Sequence, residues 1–228
     1  MFKYVLFDLD GTLTDPKEGI TRSVQHALKA FGIEEEAENL VSFIGPPLRD
    51  SFMKFYELTS QQAEEAVAVY RQRFSKIGLF ENIPYEGIEQ LLENCRNAGM
   101  LLAVASSKPR VFVDRILAHF ELEKYFDVVV GSELDGTREK KEEVVEEALR
   151  QLEELVTGKG QTVLCQIFNQ TNCAMVGDRS YDVEGGKRFQ LHTIAVRYGY
   201  AADGELEKAE ADQIVGSVRQ LEEALLKG

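Results

Sequence analysis

Apolar and polar positions follow two different rhythms along the chain. Five short β-rich runs, KYVLF (3–7), LLAVAS (101–106), FDVVV (126–130), CAMVG (173–177) and HTIAV (192–196), read as strands. From residue 82 onward they are separated by stretches with apolar residues three and four apart, which predicts a parallel sheet covered by helices. Between Pro16 and Gly78 the strand signal vanishes. EGITRSVQHALKAFG, LRDSFMKFYEL and TSQQAEEAVAVYRQRFSKIG are each amphipathic with a helical period, so a helical insert follows the first strand. Thr59-Ser60 reads as the N-cap of the last of these, and Gly78 and Gly99 as helix stops. EKKEEVVEEALRQLEELV (139–156) carries Glu and Lys at four-residue spacing, and most of that charge is expected in solvent.

Composition narrows the picture. At 228 residues the chain is long enough for a core domain with a smaller module. No run approaches the about 18 apolar residues of a membrane span, and no secretion signal is readable, so a cytoplasmic protein without membrane attachment is expected. A formal charge of −13 and a pI near 4.8 argue against nucleic-acid or anionic-membrane binding. The expected partner is a small molecule, and the expected state is a monomer or weak homodimer. Cys95, Cys165 and Cys173 lack metal-ligand spacing and read as buried reduced thiols, while His26, His119 and His192 are scattered singly.

The first strand runs straight into an acidic pair in VLFDLDGTLT. Residues two apart on a strand share a face, so Asp8 and Asp10 repel unless a cation lies near or one is protonated. Asp-Gly between apolar residues is also a hairpin signal. A calcium loop starting at Asp8 would need Glu at its twelfth position, and residue 19 is Gly. The chain contains its own control, because SELDGT (132–137) repeats the string with Glu133 in place of Asp8. Only the first copy ends a strand without interruption, at the carboxyl edge where open α/β sheets bind ligands. Two carboxylates there suit magnesium-assisted phosphoryl transfer, one attacking phosphorus and the other moving the proton. A phosphate beside them needs a divalent cation, a lysine and hydroxyl or backbone donors. Ser106, Ser107 and Lys108 follow the second predicted strand, and Asp178 and Asp182 follow CAMVG.

Taken in order, DLDGTLT, VASSKP, a lysine opening the KEEVVEEAL helix and MVGDRSYD resemble the four motifs of the haloacid dehalogenase superfamily of phosphatases. The helical insert and the FIGPPLRDSF loop (43–52) resemble the α-helical, C1-type cap of its phosphoglycolate phosphatase-like branch. The resemblance implies a Rossmann-like three-layer α/β/α core with a mostly parallel sheet, spanning 1–14 and 82–228, and a cap spanning 15–81. It implies Mg²⁺ as cofactor, held by the Asp8 carboxylate, the Asp10 carbonyl and Asp178, with Asp182 assisting directly or through water. It implies Asp8 as nucleophile and Asp10 as acid/base, with Ser106, the Ser107 backbone and Lys141 on the phosphate. The helix sequence favours Lys141 over Lys140.

Gly11 and Thr12 are expected to bring backbone N–H groups near the phosphate, and Thr14-Asp15 to start the hinge into the cap. Arg49 is a candidate for a substrate anion. The implied activity is Mg²⁺-dependent hydrolysis of a small phosphomonoester through an aspartyl-phosphate. The alternatives are a 5′-nucleotidase of the same family, a phosphomutase of the β-phosphoglucomutase type and a non-catalytic binding protein. A dehalogenase would leave Asp10 and Asp178 idle. One departure stands out: TGKGQTVLCQIFNQTN (157–172) is roughly ten residues longer than a usual helix-to-strand loop. Its TVLCQIF has strand-like composition.

Overall fold

The computed structural model describes residues 2–158 and 167–227. The chain divides into two compact units, Met1–Leu13 with Pro84–Gly228, and Thr14–Ile83. The first strand, β1 (Tyr4–Phe7), belongs to the larger unit. The smaller unit opens with β2 (Thr14–Asp15), continues through α1 (Lys17–Ala30), a 3₁₀ turn (Ala37–Phe43), α2 (Leu48–Tyr56) and α3 (Ser60–Arg73), and closes at β3 (Ile83–Pro84). β2 pairs with β3 where the chain enters and leaves.

Thr59 caps α3 as its sequence predicts. Its hydroxyl accepts from the Gln62 amide at 3.3 Å and its own amide donates to Gln62 Oε1 at 3.0 Å, satisfying two donors that the helix start leaves free. Inside this unit Phe43 and Phe52 meet edge to face at 5.0 Å. The Arg73 guanidinium grips Glu81 with two bonds of 2.7 and 2.8 Å, and this holds the Glu81 carboxyl below its ordinary range.

The larger unit continues with α4 (Ile88–Asn97), β4 (Leu101–Pro109), α5 (Arg110–His119), β5 (Val128–Ser132), α6 (Lys141–Thr157), β6 (Cys173–Gly177), α7 (Ser180–Arg188), β7 (His192–Val196), α8 (Glu205–Lys208), β8 (Gln213–Val215) and α9 (Val218–Lys227). Six strands form one parallel sheet in the order β5-β4-β1-β6-β7-β8. β5 starts at Val128, two residues later than its composition suggests, and runs on through Gly131 to Ser132, so that, against expectation, the second acidic copy also follows its strand without interruption. Asp127, just before Val128, donates its amide to Leu102 O at 2.8 Å and accepts the Leu102 amide on its carboxylate at 2.9 Å.

Alternate side chains of β1 point to opposite faces, and Val5, Leu6 and Phe7 are all fully buried, so helices cover both faces of the sheet. On one face Leu6, Ala103, Ala105, Val130 and Met175 pack against Val144, Val145, Ala148, Leu149 and Leu152 of α6. Each large aliphatic side chain buried this way stabilises the fold by about 1.5–3 kcal/mol. The opposite side of α6 holds its charge in solvent, where Arg150 bonds Glu147 at 2.7–2.8 Å.

Gly158, at φ 67°, stops α6 in the left-handed conformation. Most of the strand-like TVLCQIF, with Cys165, lies outside the described residues. Its last residue, Phe168, is fully buried and meets Tyr4 edge to face at 4.9 Å. Cys95 and Cys173 are buried free thiols. Among the described residues no helix is long and apolar enough to cross a membrane.

Candidate active site

The chain order reverses around β1, with β4 and β5 on one side and β6 to β8 on the other. Crevices form at the carboxyl ends of parallel strands at such a switch point. Phe7 is level with Val104 of β4 and Val176 of β6, so Asp8, Ser106 and Asp178 leave neighbouring strands at nearly the same height. The ladder is continued by the Asp8 amide, which donates to Val176 O at 2.9 Å.

Asp8 is held on one side only. Its Oδ1 accepts the Leu9 amide at 2.8 Å and the Lys141 ammonium at 2.9 Å. Its Oδ2 takes no hydrogen bond from the described residues. Lys141, buried at the start of α6, also reaches Asp182 Oδ1 at 2.8 Å and the Ala105 carbonyl at 3.0 Å. Burial would lower this lysine, but the charges of Asp182 and Asp8 more than offset that and hold the ammonium above its ordinary range. Lys140, one residue earlier, is exposed.

Asp8, Asp178 and Asp182 bring carboxylate oxygens within 4.8 Å of one another, all buried. One lysine does not balance three carboxylates. Burial and the charges of Asp182 and Asp8 push Asp178 well above the carboxylate range, and burial also raises Asp182 against the pull of Lys141. Asp182 has a charge partner, since its Oδ1 lies 2.8 Å from the Lys141 ammonium while its Oδ2 accepts the Arg179 amide at 3.0 Å. Asp178 is different. Its Oδ2 accepts the Tyr200 amide at 2.7 Å, while its buried Oδ1 has no partner among the described residues. An unpartnered carboxylate oxygen in an over-negative, all-oxygen cluster fits a hard divalent cation.

Asp10 has its own lysine. Lys108 Nζ lies 2.6 Å from Asp10 Oδ2, and Asp10 Oδ1 is buried with no partner among the described residues. Burial raises the Asp10 carboxyl, with Lys108 opposing it. Lys108 arrives there because β4 bulges: its pairing with β5 jumps from Ala105–Val130 to Pro109–Ser132, which sets Ser106, Ser107 and Lys108 out of the ladder. The chain stays extended through the bulge, so β4 runs three residues past its predicted end. Ser132 Oγ secures the bulge by donating to Ser107 O at 2.8 Å. Ser106 is buried, and its hydroxyl accepts the Lys108 amide at 3.4 Å.

The model of the haloacid dehalogenase-like hydrolase family matches residues 5–196. The chain belongs to that family. A 5′-nucleotidase of Pseudomonas aeruginosa is 42% identical over 222 residues, 97% of this chain and 94% of the relative. Tyrosine-protein kinase PtkA of Mycobacterium tuberculosis is 36% identical over 97% of this chain and 72% of its own. A phosphoglycolate phosphatase of Aquifex aeolicus is 31% identical over 87% and 86%. Among solved structures, a predicted phosphatase from Clostridium acetobutylicum superposes with a TM-score of 0.89 at 43% identity, over 100% of both chains. This haloacid dehalogenase-like hydrolase is an enzyme of the phosphoric monoester hydrolase class.

The hydrolase gathers Asp8, Asp10, Ser106, Lys141, Asp178 and Asp182 at one sheet edge. Gly11 takes φ 77° in the turn after β1, and a Cβ there would fall 2.1 Å from Asp178 Oδ2. The Thr12 amide closes the same turn onto Leu9 O at 3.3 Å. In the smaller unit, Arg49 spends its guanidinium on Ser60 Oγ at 2.7 Å and Glu64 at 3.6 Å. Lys108, expected from its place after the strand among the groups beside a phosphate, pairs with Asp10, while Tyr198, Gly199 and Tyr200 carry no expectation from sequence. The SSK order after an apolar strand was the available signal for the first. The Tyr200 contact is a backbone one and leaves no residue signature.

Proposed function

We propose that this hydrolase removes phosphate from a small phosphomonoester with Mg²⁺ as cofactor and Asp8 as nucleophile. The observation that supports this reading is the division of labour between the two lysines. Lys141 and the Leu9 amide fix one oxygen of Asp8 and leave the other for attack, while Lys108 fixes one oxygen of Asp10 and leaves the other for proton transfer. Asp8 Oδ2 attacks phosphorus and the leaving oxygen departs, giving an aspartyl-phosphate. Asp10 Oδ1 delivers the proton to that leaving oxygen, then takes one from the water that hydrolyses the acyl phosphate.

Ser106 Oγ, the Ser107 amide and Lys141 bind the phosphoryl oxygens, with Gly11 and Thr12 lining the turn beside them. Asp8, Asp178 and the Asp10 carbonyl would hold Mg²⁺, with Asp182 beside them. When bound, the ion neutralises phosphate and carboxylate charge and orients the phosphoryl group. The Thr14–Ile83 unit is read as the α-helical, C1-type cap. Arg49 is left out of this reading, since Ser60 and Glu64 already occupy it.

The near full-length likeness to a protein named 5′-nucleotidase puts 5′-nucleotides first among candidate substrates, ahead of 2-phosphoglycolate. The test is phosphate release from 5′-nucleotides, 2-phosphoglycolate and hexose phosphates, with and without Mg²⁺. The expected result is Mg²⁺-dependent release, fastest from a nucleotide. A hexose phosphate isomerised without free phosphate would move the enzyme to the mutases, and silence in every assay would overturn the hydrolase mechanism.

A further inference from the structure

We propose that residues 198–205, the connection from β7 to α8, form a positioning arm for the cation site, and that Glu205 is the residue that sets it. The proposal rests on the reading of Asp178 as a cation ligand. Three contacts tie this connection to the site. The Tyr200 amide donates to Asp178 Oδ2 at 2.7 Å, which decides that Oδ1 is the oxygen left without a partner. The Tyr198 hydroxyl donates to the Thr12 carbonyl at 3.0 Å, pinning the arm to the turn after β1. Gly199 lies so close that a Cβ on it would fall 2.4 Å from both Asp178 Oδ2 and the Gly11 carbonyl.

Glu205 fixes where the arm stands. Its Oε1 accepts Arg179 Nε at 2.9 Å and the Ser180 amide at 2.9 Å, on the two residues that follow Asp178. Its Oε2 accepts the Ala202 amide at 2.9 Å, on the arm itself. One carboxylate thus joins the strand end that carries Asp178 to the loop that orients Asp178. Both partners of the Arg179–Glu205 pair are largely buried, at 15% side-chain exposure, so the clamp is little screened by solvent. Groups that orient a metal ligand in this way typically control affinity by 10- to 100-fold. Glu205 touches neither substrate nor reacting atoms and acts only through Asp178.

The test is Mn²⁺ titration of the metal-free full chain, followed by electron paramagnetic resonance. Glu205→Gln is expected to raise the Mn²⁺ dissociation constant about tenfold. Arg179→Lys, a milder lesion that serves should the first variant misfold, is expected to raise it by a smaller factor, about threefold. The Mg²⁺ concentration for half-maximal phosphate release rises in the same proportion, while the substrate KM at saturating Mg²⁺ stays within about twofold. A purely structural role would lower thermal stability without moving the metal constant.

Asp178→Asn separates the two readings. If it abolishes Mn²⁺ binding while both clamp variants bind within twofold of the unaltered chain, the arm is overturned and the cation site stands. If the unaltered chain does not bind Mn²⁺, or Asp178→Asn binds it equally well, both are overturned.

Discussion

Leu9–Thr12 and Leu134–Thr137 have the same sequence, Leu-Asp-Gly-Thr, and the same left-handed glycine, at φ 77° and 91°. Their surroundings differ. The first follows β1 in the middle of the sheet, where Leu9 is fully buried and Asp10 meets Lys108. The second follows β5 at the sheet edge, where Leu134 is 48% exposed and Asp135 accepts the amide of Thr137 at 2.9 Å. Burial raises the Asp10 carboxyl, whereas the Thr137 amide lowers that of Asp135. Glu133, which stands where the first copy has Asp8, bonds Arg138 in an exposed loop. A four-residue string sets a turn. The ends of the neighbouring strands decide whether that turn becomes a site.

The contrast can be tested residue by residue. On the proposed mechanism, Asp8→Asn should lower kcat about 10⁴-fold or more while leaving the melting temperature nearly unchanged, because the amide keeps the shape and loses the attacking carboxylate. Steady-state phosphate release with thermal denaturation checks this, and normal turnover would sink the assignment. Asp10→Asn should cost about 10²- to 10⁴-fold in kcat, read on the same substrate. Glu133→Gln, the matching change at the second copy, should alter kcat by less than about twofold, in line with a surface substitution remote from the site. A large loss there would mean that chemistry resides in the wrong copy.

The smallest effect concerns acid stability. Asp135 has a folded-state pKa below its unfolded value, so its contribution is present above the unfolded pKa and fades as pH falls through the folded one. The gap in melting temperature between the unaltered chain and Asp135→Asn should therefore be small near neutrality and close only in strong acid. A gap that widened on acidification would contradict the sign.

The parallel core was legible because β1, β4, β6 and β7 are buried on both faces and read as continuous apolar runs. Asp8, Asp10, Ser106, Asp178 and Asp182 were legible for a related reason, since each follows such a run within a few residues. Which of Lys140 and Lys141 turns inward was not legible, because it depends on how the first turn of α6 faces the sheet, and that turn buries Lys141 and leaves Lys140 in solvent. β8 is three residues long, too short for a pattern to register. The Lys108–Asp10 pair depends on a bulge, and the Tyr200–Asp178 bond depends on main chain, so neither is written in residue types.

The register of β1 also dictates when the site comes into being. The ribosome delivers Tyr4–Phe7 before either of its neighbours, since this strand pairs with one that starts at Leu101 and another that starts at Cys173. At about 5–20 residues per second, the second neighbour emerges on the order of 10 s or more after the first strand. A nascent chain halted between the two neighbours therefore holds Asp8 on a strand with one flank open, an apolar edge that is both a folding nucleus in waiting and an aggregation hazard. Asp8 is made before both strands that flank it and is enclosed by its surroundings only once the second of them has arrived.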